Sequence, residues 1–305
     1  MRPALACSIL LMSASINASA WTMTTQSAQS VPDNSIKLDR RYREGEALRY
    51  EMKGSNHGWE YQIHADALVK KDDEGVFYEQ ISWSDLRSNA PMTLSPSSLD
   101  FRQTLSLAET SKYLTVPDLS KIQPILIGPI TDMLTFYSDV FLSKQLKLSH
   151  VGQHAYFEHG TPNSWADGQR ILLGEDSIDF DLTLVSADPA EHTATLLVRH
   201  VSPAHPQVHL PAEWMKAPVS DAPNNWVQVE KAEGKFVAEV GLEIFDVRVK
   251  LDTRNGKILS ADLHNPVVAV RRTCEDPILS KCDAPKAETI VRDVSLTLVP
   301  ESNGR

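Results

Sequence analysis

Apolar and polar residues alternate over long stretches of this chain. In Tyr61-Gln62-Ile63-His64-Ala65-Asp66-Ala67-Leu68-Val69 the odd positions are apolar and most even ones polar. This period of two marks a strand with one face buried and the other wet. Asp72-Asp73-Glu74-Gly75 then turns the chain into Val76 to Trp83, which predicts a hairpin. The grammar recurs where Ile178, Phe180, Leu182 and Leu184 alternate with Asp179, Asp181 and Thr183, Asp188-Pro189 turns, and Thr193 to Val201 returns. It is strictest in Phe245 to Asp252, followed by Asn255-Gly256 and the returning Lys257 to Leu263. Asn-Gly supplies the positive φ angles of a tight primed turn. Val291 to Val299 offers a last strand. Such short turns imply antiparallel pairing, because parallel neighbours need crossovers of a dozen residues or more.

One segment changes period. After Gly128-Pro129, the positions Ile130, Met133, Leu134, Tyr137, Val140, Phe141 and Leu142 follow a 3.6-residue repeat. This predicts a helix of roughly 18 residues from about Pro129 to Lys147, with Pro in its first turn, after a shorter helix near Leu119 to Ile127. Its polar positions, Thr131, Asp132, Ser138 and Asp139, are few, so the helix should be largely covered. Two stretches, 151–174 and 202–225, are irregular and hold Trp165 and Trp214, with Trp226 just beyond. The second carries five prolines, too many for a helix interior or a central strand. The resulting fold class is mainly β with a minor α part: a curved antiparallel sheet or half-barrel packed against a central helix pair.

The first twenty residues have the layout of a cleavable export signal, with Arg2, an apolar run from Ala4 to Met12 and the small residues Ala18-Ser19-Ala20. Cys7 lacks the upstream apolar region that a lipid-attachment cysteine needs. The expected organisation is a signal at 1–20, a flexible arm at 21–40, and one β-rich domain at 41–300 with a helical insertion at about 117–148. Cys274 and Cys282 bracket seven residues and, in an exported chain, should form one local disulfide. No later stretch has the roughly 20 consecutive apolar residues of a bilayer span, so no transmembrane segment is expected beyond the leader.

The 305 residues are 42% hydrophobic, enough for a sizeable core. Lysine and arginine total 30 against 40 acids, a net charge of −10, which disfavours nucleic acid as a partner. No phosphate-binding glycine loop, dinucleotide fingerprint or His-Glu-x-x-His motif is present, and no cofactor is expected.

Seven of the ten histidines lie between residues 150 and 209. His154, His159, His200 and His205 are the candidate ligands for zinc or copper, although the spacing follows no known metal signature. The polar loop Glu158 to Gly168 holds Ser164, His159 and Asp167, which raises a hydrolase reading. Ser164 lacks the Gly-x-Ser-x-Gly elbow, so the simpler expectation is a turn network of Asn163, Ser164 and Asp167 with Trp165 packed down. Asp179 and Asp181, two apart on one strand, read as a solvated outer face.

Export, acidity, successive hairpins and a central apolar helix together resemble the bacterial lipoprotein-sorting half-barrel family of periplasmic carriers (LolA-type). Strand phrases such as Tyr42-Arg43-Glu44-Gly45-Glu46-Ala47-Leu48-Arg49-Tyr50 and Lys250-Leu251-Asp252-Thr253-Arg254-Asn255-Gly256-Lys257-Ile258 support the resemblance. It implies a curved sheet shielding an apolar cavity whose mouth is closed by helices, and an apolar small molecule or lipid as partner. The residues expected to line such a cavity are Met133, Leu134, Tyr137 and Phe141 from the helix and Phe180, Leu182, Val247 and Val249 from the strands. Three functions stay open: a periplasmic or secreted binder of an apolar ligand, a secreted metal-dependent or serine hydrolase, and an envelope interaction module without a ligand pocket.

Overall fold

A computed structural model describes residues 35–56, 58–89, 99–110, 112–166 and 170–300. The expected leader and most of the arm lie outside these residues. Positions 35–40 of the arm are packed, with Leu38 and Arg40 buried and Ile36 N–H donating to Ser149 O at 2.8 Å.

The alternating segments become strands β1 (Ala47–Asn56), β2 (Trp59–Lys71), β3 (Phe77–Ser88) and β4 (Arg102–Leu105), then β5 (His154–Phe157), β6 (Asn163–Ser164) and β7 (Ile171–Asp176). They continue as β8 (Asp179–Asp188), β9 (Thr193–Val201), β10 (Trp226–Ala232), β11 (Lys235–Glu243), β12 (Phe245–Asp252), β13 (Ile258–Cys274) and β14 (Lys286–Leu298). All pair antiparallel in one curved sheet that does not close into a barrel, and one α-helix accompanies them among the described residues.

The sheet runs β4-β3-β2-β1-β14-β13 and then forks. Ile258 to His264 of β13 pair with β12, which continues to β9, β8 and β5. Val267 to Cys274 pair instead with β11, which continues to β10, β7 and β6. Pro266 stands at the fork, in a central strand where a missing N–H is ordinarily excluded. It is tolerated because the partner strand changes there: Asn265 Nδ2 donates to Ile244 O at 3.0 Å and bridges the change.

Helix α1 (Pro124–Gln145) fills the concave side of the first branch. It is one piece, and the shorter helix expected at 119–127 is only a 3-10 turn, Leu119–Lys121. The start lies five residues earlier than the periodicity placed it because Pro124, preceded by the extended Gln123, takes the first helical position. Pro129 therefore sits inside the helix. Leu126, Ile130, Met133, Phe136, Tyr137 and Val140 are fully buried against Tyr50, Met52, Ile63, Leu182, Val247 and Val249. Each such side chain contributes about 1.5–3 kcal/mol of burial free energy. The helix is long and apolar enough to cross a bilayer, but its apolar surface is spent on this core.

On the second branch the proline-rich stretch 202–225 lies over β10 and β11, seating Ala212 and Met215 on Val227, Val229, Ala238 and Val240. The Cys274–Cys282 disulfide is formed beside it and joins that core. Trp165 covers the other face and rests on Gly174, where any Cβ would meet the indole at 2.4 Å. The Asn255-Gly256 turn differs from the tight primed form, because only Gly256 has positive φ. Asp252 organises a longer loop by accepting from Arg254 N at 2.8 Å and Asn255 Nδ2 at 3.1 Å. Gly256 is needed there, since a Cβ would strike Asp39 O at 2.4 Å.

Candidate functional site

The eight residues expected to line an apolar cavity all belong to the packed core. Met133, Leu134, Tyr137, Leu182, Val247 and Val249 are buried in one continuous cluster, and Phe141 and Phe180 pack half-buried on its margin. The interior is also pinned by polar ties. Tyr137 Oη donates to Glu79, which accepts from Arg40 Nε at 3.2 Å, while Arg40 Nη2 reaches Glu46 at 2.6 Å. Asp132 lies 2.9 Å from Arg292 Nη1 and accepts from Tyr61 Oη at 3.3 Å. Asp139, two turns along the same helix face, is 3.1 Å from His200 Nε2. Burial pushes the Glu79, Asp132 and Asp139 carboxyls above their ordinary range, and Arg40, Arg292 and His200 respectively pull them back. Sequence reasoning saw Asp132 and Asp139 only as sparse polar positions. Their seven-residue spacing on a buried helix face was the available signal, because a buried carboxylate demands a partner. Glu79, Arg40 and Arg292 left none.

The four candidate metal histidines are not gathered into a ligand set, and no three-residue metal-binding group occurs among the described residues. His154 pairs with Asp181 at 2.5 Å, and His200 stacks on Phe245 beside Phe180 while holding Asp139. His159 packs edge-on to Phe180, and His205 lies in the proline-rich stretch. Asp179 is buried and not solvated as expected; it accepts from Tyr156 Oη at 2.7 Å and His159 N at 3.1 Å.

Among the described residues the polar loop does not set Ser164 beside a histidine. Asn163 and Ser164 form β6 and donate to Asp176 at 2.7 Å and Glu175 at 3.4 Å, so they serve carboxylates and not the backbone; Asp167 lies outside the described residues. His209 Nδ1 also reaches Glu175, at 2.8 Å. The carboxylate thus stands between serine and histidine. A hydrolytic triad needs the histidine in the middle, where it takes the serine proton.

A second polar knot, missed in the sequence, lies at the fork. Asp176 of β7 and Glu243 of β11 are buried near Arg292. Burial raises Asp176 to about 6, offset by the Asn163 hydrogen bond; burial and then Asp176 itself raise Glu243 to about 8. Two neighbouring buried carboxyls, both raised, resemble the acid and base of a catalytic pair. Both are closed off from solvent, however, and their observed partners are structural.

A concavity lies on the opposite, outer face of the sheet. It has a volume of about 920 Å³ and is bordered by six strands. Cross-strand register aligns its side chains in two rows. One row runs Asp246, His264, Asp293, Ser55, Glu60; the other runs Arg248, Asp262, Ser295, Lys53, Gln62, Arg87. The rows are two residues apart along each strand, roughly 7 Å. Arg87 joins its row because a bulge at Asp85-Leu86 rephases β3, with Asp85 at φ 55° held by Arg49 and His64. His264 pairs with Asp293 at 2.7 Å, Asp246 with Arg199 at 3.3 Å, and Lys53 with Glu51 at 2.6 Å. The side chains of Arg87, Arg248, Asp262 and Glu60 have no hydrogen-bonding or ionic partner among the described residues. This trough presents hydroxyl, amide, carboxylate and guanidinium groups to solvent. No family model matches the chain, and no curated protein matches it significantly.

Proposed function

We propose that this chain is an exported binding protein that recognises a polar partner in the trough on the outer face of its sheet. One observation carries the reading. The concave space lies over the side chains of Arg87, Arg248, Asp262 and Glu60, which have no partner among the described residues, whereas the residues suited to an apolar ligand are consumed in a pinned core. The leader-like N-terminus and the Cys274–Cys282 disulfide support export to an oxidising compartment. The apolar-carrier reading, drawn from the half-barrel resemblance, requires α1 to leave the concavity. That movement breaks ties whose partners are buried, and losing one side of a buried pair costs about 3–5 kcal/mol.

The test is site-specific photo-crosslinking in envelope extract. A photo-reactive residue at Ser295, in the trough, should capture a partner that the same group at the exposed Ser186 does not. The Arg87→Glu, Arg248→Glu double variant should abolish the adduct. Equal capture from both positions, or an adduct indifferent to the double variant, rules the reading out.

A further inference from the structure

The composition of the trough narrows its occupant. Its lining carries three cationic side chains, Lys53, Arg87 and Arg248, against four carboxylates, Glu60, Asp246, Asp262 and Asp293. A polyanion meets the acids and a polycation meets the bases, so neither gains a net field. Of the described lining residues only Tyr61, Leu263 and Val294 are large and apolar, and the last two are buried in the core, so a lipid chain finds no apolar side chain of theirs to cover. The carboxylates, amides and guanidinium groups are instead planar and hydrogen-bond in pairs. Pairs of that kind match neighbouring hydroxyls on a sugar ring. The rows also repeat once per strand, about every 4.8 Å, and cross six strands, a length of roughly 24 Å. A linear glycan laid across the strands meets fresh donors and acceptors at about one ring per strand.

We propose that the trough binds a neutral linear polysaccharide running across β12, β13, β14, β1, β2 and β3, gripped at its two ends by Arg248 and Arg87 and between them by Asp262, Gln62 and Glu60. This assignment rests on the recognition reading above and names the chemistry of its ligand. Arg248 and Asp262 face each other across β12 and β13 without an ion pair, so both can serve the same ring. Gln62 already donates to Glu51 at 2.6 Å, which fixes its amide and leaves its oxygen to accept.

Calorimetric titration of the mature protein tests this with four soluble probes: cellohexaose, N-acetylchitohexaose, hexagalacturonate and a deacetylated chitosan hexamer. At least one of the two neutral hexamers should bind, and its affinity should rise with chain length up to about five or six rings. Binding should change less than twofold between 50 and 300 mM salt, because little net charge is neutralised (order-of-magnitude expectation). Arg248→Ala and Asp262→Asn should each weaken it about tenfold without shifting the melting temperature. Binding by a charged hexamer alone, or neutral binding indifferent to both variants, overturns the proposal. Failure of all four hexamers while Ser295 still crosslinks to a protein, including a second copy of this chain, overturns the glycan and leaves the recognition surface standing. Loss of both removes both.

Discussion

The two faces of the same strands differ in how they treat polar groups. On β1, Tyr50 and Met52 point into the core while Lys53 and Ser55 point out; on β12, Val247 and Val249 face in while Asp246 and Arg248 face out. Inside, the charged groups tying down the helix are answered: Asp132 by Arg292, Asp139 by His200, Glu79 by Arg40. Outside, the exposed side chains of Arg87, Arg248, Asp262 and Glu60 have no hydrogen-bonding or ionic partner among the described residues. A buried unpaired charge costs several kcal/mol, so the inner groups are explained by folding alone. Exposed charges contribute little to stability, so folding does not account for the outer rows. That asymmetry is the ground for the proposal that recognition uses the outer face.

Mutations that separate the faces should rank accordingly. Glu79→Ala leaves Arg40 buried with one of its two carboxylate partners, and chemical denaturation should record a loss of about 3–5 kcal/mol. Phe136→Ala opens a cavity in the fully buried core and should cost a similar 3–5 kcal/mol, whereas the half-buried Phe141→Ala should cost less; equal losses would mean that α1 is rotated from the arrangement described. Glu243→Gln should matter through pH. The fold raises this carboxyl to about 8, so its stabilising proton is fully held below the ordinary range near 4.5 and lost as pH climbs through 8. The melting temperature of the parent should therefore fall relative to Glu243→Gln between pH 5 and 9, by roughly 2–4 °C per kcal/mol lost. Parallel curves would show Glu243 to be solvated. Smallest of all, Arg248→Ala and Asp262→Asn should stay within about 0.5 kcal/mol of the parent.

The architecture was legible because alternation and a single helical repeat are local signals. Phe245 to Asp252 and Tyr61 to Val69 became strands with the faces their pattern assigned. The fork was not legible: Pro266 reads as a strand breaker, and only the change of partner from β12 to β11 explains it. The candidate site was hidden for a similar reason. Its rows exist only once six strands are in register, and Arg87 reaches them through a bulge whose positive-φ residue is an aspartate. Nor could the pattern tell a filled concavity from an empty one, since Met133 and Val249 are apolar in either case. The ties that decide the matter, Arg40 to Glu79 across 39 residues among them, are long-range pairings of unremarkable surface residue types.

Native-state hydrogen exchange of α1, with and without a saturating fatty acid or phospholipid, tests the division between faces most directly. A pinned helix exchanges its central amides, from Ile130 to Val140, only through global unfolding, at the full stability of the domain, and the lipid changes nothing. Central amides that exchange through an opening well below that stability, and that lipid protects, would make α1 a movable lid over an apolar site and contradict the account.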